Sequence, residues 1–242
     1  TLMCDDTANM WLQVAHDYFK ELKNTFRFIY FTPATGCWIG ASPEILLNVD
    51  NSTGNAETVA LAGTRTKPKA NVGWDEKNVS EQGMVVKFIM DVLEEMQADY
   101  KVEAVNDVAF GNISHKCEHF TFNLGERDPF DVIDSLNPTP ALSGYPREDA
   151  VAHIERLEMH NRYCYGGYVA VEDGNSLRAY VNLRCAHFYK DKYCIYAGSG
   201  LTEDSKADSE WIETENKIYK LRTAVECCDA AFNAVESLAP IK

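Results

Sequence analysis

Residues 164–200 read CYGGYVAVEDGNSLRAYVNLRCAHFYKDKYCIYAGSG. Three apolar runs rich in β-branched and aromatic residues lie in this stretch, at Cys164 to Val171, Ala179 to Phe188 and Tyr193 to Ala197. They are separated by Glu172-Asp-Gly-Asn175 and Lys190-Asp-Lys192, which are turn compositions. Runs of this length joined by tight polar turns predict an antiparallel meander rather than parallel strands, which need long crossovers. A Gly198-Ser-Gly200 turn then leads into a helix predicted from about Ala207 to Val235.

Upstream, Trp11, Leu12, Ala15, Phe19 and Leu22 recur at helical spacing. Arg27 to Phe31, Cys37 to Ala41, Ile45 to Val49 and Glu57 to Leu61 read as four strands, so the first quarter is expected to be antiparallel sheet. Val85, Phe88, Ile89, Val92, Leu93 and Met96 mark one face of a helix over 75–98, with Glu81 near its start. Lys101 to Phe110 reads as extended, and Pro129 to Leu136 and Pro146 to Leu157 as short helices. Between those helices, Asn137-Pro-Thr-Pro-Ala-Leu-Ser-Gly144 is expected to be irregular because of its prolines and glycine. The sum is an α+β fold of antiparallel sheets with packed helices.

With 45% hydrophobic and 25% charged residues, the 242-residue chain has the composition of a globular protein with a substantial core. Its formal net charge of −14 argues against nucleic acid or an anionic membrane as partner, and an anionic substrate would need local positive compensation. No apolar run reaches the length of a membrane span and no signal peptide is legible, so a cytoplasmic location is expected. The eight cysteines form no CxxC pair and read as reduced packing thiols. No HExxH, GxSxG or Walker loop occurs, which disfavours zinc proteases, covalent hydrolases and nucleotide kinases.

Glu210, Glu213 and Lys217, spaced i, i+3 and i+7, share one helix face. They read either as a solvated salt-bridge stripe or as part of a metal site; Glu81 likewise is either a helix-dipole charge or a ligand. Arg184, flanked by apolar residues in a strand pattern, is expected either to pair internally or to bind an anion.

The order of the segments carries more. Gly40-Ala-Ser-Pro-Glu44-Ile-Leu-Leu, Ala60-Leu-Ala-Gly63-Thr64-Arg, Lys77-Asn-x-x-Glu81 with Val85-Val86, Pro138-Thr-Pro-Ala, Tyr196-Ala-Gly198-x-Gly200 and Glu210-Trp-x-Glu213-x-x-x-Lys217 follow one another along the chain. Each is weak alone, but the series is similar to the chorismate-binding family, and in detail resembles its isochorismate synthases. The resemblance implies the fold of anthranilate synthase component I, in which antiparallel sheets with flanking helices enclose chorismate. Residues 1–242 would then be the C-terminal portion of the chorismate-binding domain, with the N-terminal part missing.

The same resemblance implies Mg²⁺ as cofactor, held by Glu81 and Glu213, with Glu210 acting through metal-bound water. Magnesium suits such a site because it dehydrates reluctantly and takes few carboxylates beside its substrate. Arg184, Tyr165 and the backbone at Gly198 and Gly200 would meet the enolpyruvyl carboxylate, and Lys217 would add positive charge. Gly63 and Thr64 would position the ring, and Asn137 would stand where relatives carry a histidine, able to hydrogen-bond but not to transfer protons.

Glu44 is the implied general acid, protonating the C4 hydroxyl as it leaves while water attacks C2, which requires a carboxyl protonated near neutral pH. The implied base is a lysine on a strand shortly before the segment aligned with Thr1, and that lysine is not in this sequence. Loss of a general base costs a factor of about 10² to 10⁴, so these residues alone are expected to be impaired.

Leu61-Ala-Gly-Thr64 is the form expected of water-using relatives, against the P-I-(A/K)-G-T of ammonia-using ones. Isochorismate synthase is therefore the first expectation, feeding menaquinone or siderophore biosynthesis. Salicylate synthase is the second, and a chorismate-binding module without turnover is the reading from another class.

Overall fold

The computed structural model describes residues 5–20, 22–66, 73–110, 113–189 and 192–238. Among these residues ten strands form two antiparallel sheets. In the first the order is β1 (Phe26–Thr32), β2 (Gly36–Ser42), β9 (Cys185–Tyr189), β10 (Lys192–Tyr196). The second runs β5 (Tyr100–Phe110), β6 (Ile113–Asn123), β4 (Asn55–Thr66), β3 (Ile45–Asp50), β8 (Ser176–Val181), β7 (Tyr168–Asp173).

Helices fill the spaces the sheets leave. The apolar stripe of α2 (Glu76–Glu95), with Val85, Phe88, Ile89 and Leu93 buried, packs with α3 (Pro129–Leu136) against the six-stranded sheet. Trp38 and Tyr196 from one face of the four-stranded sheet join the same core. The opposite face of that smaller sheet, through Ile39, Ala41, Ala186 and Phe188, is covered by α1 (Asp5–Phe19) and α6 (Ala207–Leu238), using Val14, Tyr18, Leu221 and Val225. The four-stranded sheet is thus covered on both faces, which is why β2 is buried along its whole length. Among the described residues no helix is long and apolar enough to cross a membrane, and no disulfide joins two of the described cysteines.

The expected meander is corrected in one respect. The run from Ala179 to Phe188 is not one strand: it ends as β8 in the larger sheet and resumes as β9 in the smaller one. The break is at Asn182–Arg184, where Arg184 takes a left-handed φ of +50°, a conformation uncommon for a residue other than glycine. In the first quarter the chain also changes sheet, between β2 and β3 at Pro43–Glu44, so those four strands are not one sheet. The Asn137–Gly144 segment contains a single helical turn, α4 (Pro140–Ser143), opened by Pro140 at its first position, where a missing N–H costs nothing. Strand β6 adds to the elements read from the sequence, and β7 begins at Tyr168 because residues 164–167 form a turn. Arg147–Leu157 forms α5.

Beyond Glu57, β4 diverges from β3: their register holds only at Asn48 with Glu57 and Val49 with Ala56. The exposed ladder of β4 is completed by side chains of α2. Gln82, 1% exposed, donates through Nε2 to Ala60 O (2.8 Å) and accepts from Ala62 N (2.9 Å); Asn78 accepts from Thr64 N (2.7 Å). Two amides one helical turn apart thus stand in for a neighbouring strand. Gln82→Leu keeps the volume but leaves two buried main-chain groups unpaired, at about 1–3 kcal/mol each. We expect it to lower the urea midpoint by an amount equivalent to at least about 2 kcal/mol. An unchanged midpoint would show that water replaces the amide.

Candidate active site

The two sheet crossovers meet. Val181 N donates to Glu44 O (3.1 Å) and Ala41 N to Arg184 O (3.3 Å), so the residue after each crossing is held by the strand before the other. Tyr18 of α1 also donates to Arg184 O (2.9 Å). The carboxyl of Glu44 and the guanidinium of Arg184 are both buried here, at 1% and 6% exposure.

Glu44 Oε1 accepts from Thr139 Oγ1 (3.1 Å). Burial lifts its carboxyl from 4.5 to about 7, against the lowering influence of the Thr139 hydrogen bond and the charges of Arg184 and Lys217. Arg184 lies over the Phe110 ring (4.5 Å to the centroid) and approaches Lys217 O (3.5 Å). It also donates to His115 Nε2 (2.8 Å). Among the described residues it makes no ion pair, and burial is the main influence lowering its pKa.

Because a guanidinium can only donate, His115 Nε2 must accept, which places the ring proton on Nδ1, facing Gly63 O (3.0 Å) and Thr64 Oγ1 (3.3 Å). Burial, reinforced by Arg184 and Lys217, holds the imidazole pKa well below its usual value, so the ring is neutral. Gly63 sits at a bulge between Ala62 and Thr64 with φ +69°, and an added Cβ would lie 3.0 Å from Asn78 O. Glycine there is required both by conformation and by the close approach of α2.

The third wall is the turn before α6. Lys217 Nζ donates to Gly198 O (2.8 Å) and pairs with Glu213 (2.6 Å), while Glu210 is held by Lys77 of α2 and by Ser199 Oγ. The i,i+4 pair of Glu213 and Lys217 is no solvated stripe, since the side chains are 14% and 12% exposed. Glu81 projects from α2 towards Gly200. Burial raises its carboxyl pKa, with Glu213 and Glu210 adding to the rise and Lys217 and Lys77 opposing it. A Cβ at Gly200 would overlap the Glu81 carboxylate, the far end of a flexible side chain. Gly200→Ala is therefore expected to displace that carboxylate with little effect on folding. If Glu81 holds a cation, metal affinity should fall about 10- to 100-fold in a calorimetric titration while the melting curve of the cation-free protein is unchanged.

Glu44, Gly63, Thr64, Glu81, His115, Tyr165, Arg184, Gly198, Gly200 and Lys217 line one cavity of about 60 Å³. Tyr165 is buried, stacks on Tyr196 (5.2 Å between centroids), and its hydroxyl lies beside Gly198. Of the residues singled out in the sequence, three do not line this cavity. Glu210 and Glu213 stand behind it in the lysine pairs just described. Asn137 caps α3, its N–H donating to Ile133 O (2.9 Å), and its Oδ1 is buried without a hydrogen-bond partner. Its near neighbour Thr139 makes the contact to Glu44 instead. His115, Thr139, Asn78, Gln82, Lys77 and Ser199 were not assigned site roles from sequence. The consecutive polar residues Ser114-His115-Lys116 within β6 and the i,i+4 amides Asn78 and Gln82 on α2 are the sequence signals that point to part of this set.

The donor chemistry of Glu81, Glu210 and Glu213 suits a hard divalent cation: three carboxylates face two ammonium groups, leaving one negative charge in excess. In the present arrangement, among the described residues, no three such side chains converge as a metal cluster. Lys77 and Lys217 hold Glu210 and Glu213, so binding would require those ion pairs to loosen.

A family model described as chorismate binding enzyme matches residues 3–226. The chain is 30% identical over 202 residues to anthranilate synthase component 1 of Acetivibrio thermocellus, covering 78% of this chain and 40% of that protein. It is 31% identical over 207 residues to the chloroplastic isochorismate synthase of Catharanthus roseus, covering 81% and 35%. Among solved structures, the menaquinone-specific isochorismate synthase of Escherichia coli superposes with a TM-score of 0.75 at 26% identity, covering 88% of this chain and 51% of that one. The chain thus spans about half, or less, of the length of these proteins.

Proposed function

Because this chain belongs to the chorismate-binding enzymes, we propose that its cavity is the acid-bearing side of an isochorismate synthase site. Carrying the reading is the buried carboxyl of Glu44, lifted to about 7, in the same cavity as the guanidinium of Arg184, a buried cation that makes no ion pair among the described residues. A carboxyl titrating there is still substantially protonated near neutral pH and can deliver its proton to a departing hydroxyl. Thr139 orients it through Oε1.

Arg184 takes a substrate carboxylate as a charge-assisted pair, offsetting the repulsion expected from a chain of net charge −14. Neutral His115 holds the guanidinium in place and, through Gly63 O, ties it to the bulge that shapes the ring pocket. Magnesium, when bound by Glu81 and Glu213 with Glu210 behind them, supplies positive charge for the second carboxylate. The Leu61-Ala-Gly63-Thr64 segment favours water over ammonia as the nucleophile. The activating lysine is expected in the part of the fold outside these residues.

Products of chorismate with Mg²⁺, with and without ammonium, are separated by chromatography. From a chain that holds the lysine, isochorismate is expected in both conditions. Salicylate with pyruvate would identify the lyase reading, anthranilate with ammonium would overturn the choice of nucleophile, and chorismate binding without product in a chain that holds the lysine would identify a binding module.

A further inference from the structure

Five residues form one unbroken polar line through the site: Asp75, Asn78, Thr64, His115 and Arg184. Asp75, which caps α2, accepts from the Asn78 side-chain amide through both carboxylate oxygens (2.9 and 2.8 Å), as well as from Asn78 N (2.8 Å). Asn78 Oδ1 in turn accepts from Thr64 N (2.7 Å), Thr64 Oγ1 meets His115 Nδ1 (3.3 Å), and Arg184 donates to His115 Nε2 (2.8 Å). Both ends of the Asn78 amide are therefore engaged, which fixes its orientation. Asn78 also forms the floor of the bulge: a Cβ added at Gly63 would lie 3.0 Å from its carbonyl oxygen and 3.2 Å from its Cβ. Asn78, His115 and Arg184 are all buried, so water does not compete freely for these bonds.

Helix α2 carries Asn78 between Lys77, which holds Glu210, and Glu81, which lines the cavity. Asn78 and Glu81 are spaced i, i+3 and so are neighbours on the helix surface. One turn of α2 thus bears a carboxylate of the cation side and, through Thr64 and His115, the support of the guanidinium on the anion side. An arginine side chain has many rotamers, and its charge keeps one place only when its neighbours hold it. We propose that Asn78 is a positioning residue: it sets the separation between the Arg184 guanidinium and the Glu81 carboxylate, and so selects a ligand with two carboxylates at a fixed span. A ligand held at two points gains an effective concentration that is lost when the points do not match its span. For the division between cation and guanidinium the inference rests on the site proposed above; it needs nothing from the reaction.

Asn78→Ala removes the link at both ends. Chorismate with Mg²⁺ is the two-carboxylate probe, and pyruvate without Mg²⁺ is a monocarboxylate that engages Arg184 alone. Titration is expected to show chorismate affinity falling at least about tenfold, as when a supporting partner of a bound group is removed. Pyruvate, with no span to match, should change less than about twofold. Asp75→Ser keeps the cap on Asn78 N but not the paired grip on Nδ2, and should move the ratio of the two affinities the same way by about threefold. It carries the test if Asn78→Ala does not fold. In ¹⁵N-resolved NMR of the ligand-free protein, the His115 Nδ1 proton should exchange with water at least about tenfold faster in the variant that folds. Equal loss of both ligands would make Asn78 a general support of the fold, and an unchanged ratio or an unchanged ring proton would break the line; each overturns the proposal. Turnover is read separately, in a chain that holds the lysine. A shifted ratio without isochorismate from the wild type removes the reaction proposed above and leaves this inference standing, while isochorismate with an unshifted ratio does the reverse.

Discussion

Replacing Glu44 with glutamine is expected to abolish nearly all turnover and, above pH 7, to make the protein more stable. Glutamine keeps the shape of the protonated carboxyl and can still accept from Thr139, but it has no proton to give. Turnover in a chain that holds the lysine should fall about 10²- to 10⁴-fold. The stability effect follows from burial. The folded-state pKa of about 7 lies above the ordinary 4.5, so between these values the folded protein retains a proton that the unfolded chain has released.

Wild-type stability therefore falls as pH rises through that window, and the loss is complete above it. Moving the carboxyl from 4.5 to about 7 corresponds to about 3 kcal/mol. The variant lacks this penalty, so urea midpoints of the two proteins should nearly coincide at pH 4 and separate by an amount approaching about 3 kcal/mol at pH 8. Parallel pH profiles would mean that Glu44 titrates normally, and the assignment of the proton donor would fail.

Arg184→Met is expected to weaken chorismate binding at least about a hundredfold, because truncating one partner of a buried charge pair costs about 2–5 kcal/mol. Calorimetric titration measures it directly. In the ligand-free protein the outcome should be opposite in character. Arg184 is a buried cation with no ion-pair partner among the described residues, and methionine preserves the stem that packs on Phe110 while removing the desolvated charge. Against that gain, His115 loses the donor to Nε2, at about 1–3 kcal/mol. The net change in unfolding free energy should therefore stay within about 1 kcal/mol of zero. Strong destabilisation together with normal affinity would make Arg184 a structural residue.

What the sequence disclosed and what it hid have distinct physical causes. The apolar positions from Val85 to Leu93 repeat with helical period because α2 buries a single face, and the β-rich runs are legible because both sheets are antiparallel and closely turned. The crossings at Pro43–Glu44 and Asn182–Arg184 were not legible. A period of two reports which side of a sheet a residue faces, but not which sheet it belongs to, and a left-handed arginine carries no glycine to mark it.

Strand β6 escaped notice because Ser114 and His115 are buried polar residues where the pattern calls for apolar ones, a departure that serves the cavity. Asn78 and Gln82 resemble members of a solvated helix face, and only the divergence of β3 from β4 reveals their use. The spacing of Glu210, Glu213 and Lys217 fits either an ion-pair stripe or a metal site; the structure pairs Glu210 with Lys77 and Glu213 with Lys217, which itself lines the cavity.

The mutual clasp in which Val181 holds Glu44 and Ala41 holds Arg184 joins residues 137 and 143 positions apart along the chain. Neither sheet alone creates the chemistry of the cavity, and the last of these contacts forms only once the chain has reached Arg184. Local opening where the sheets meet would separate proton donor from anion receptor while each sheet kept its own ladder. Ligand affinity should accordingly vanish at lower denaturant than secondary structure does, making substrate recognition an earlier casualty of stress than the architecture that carries it.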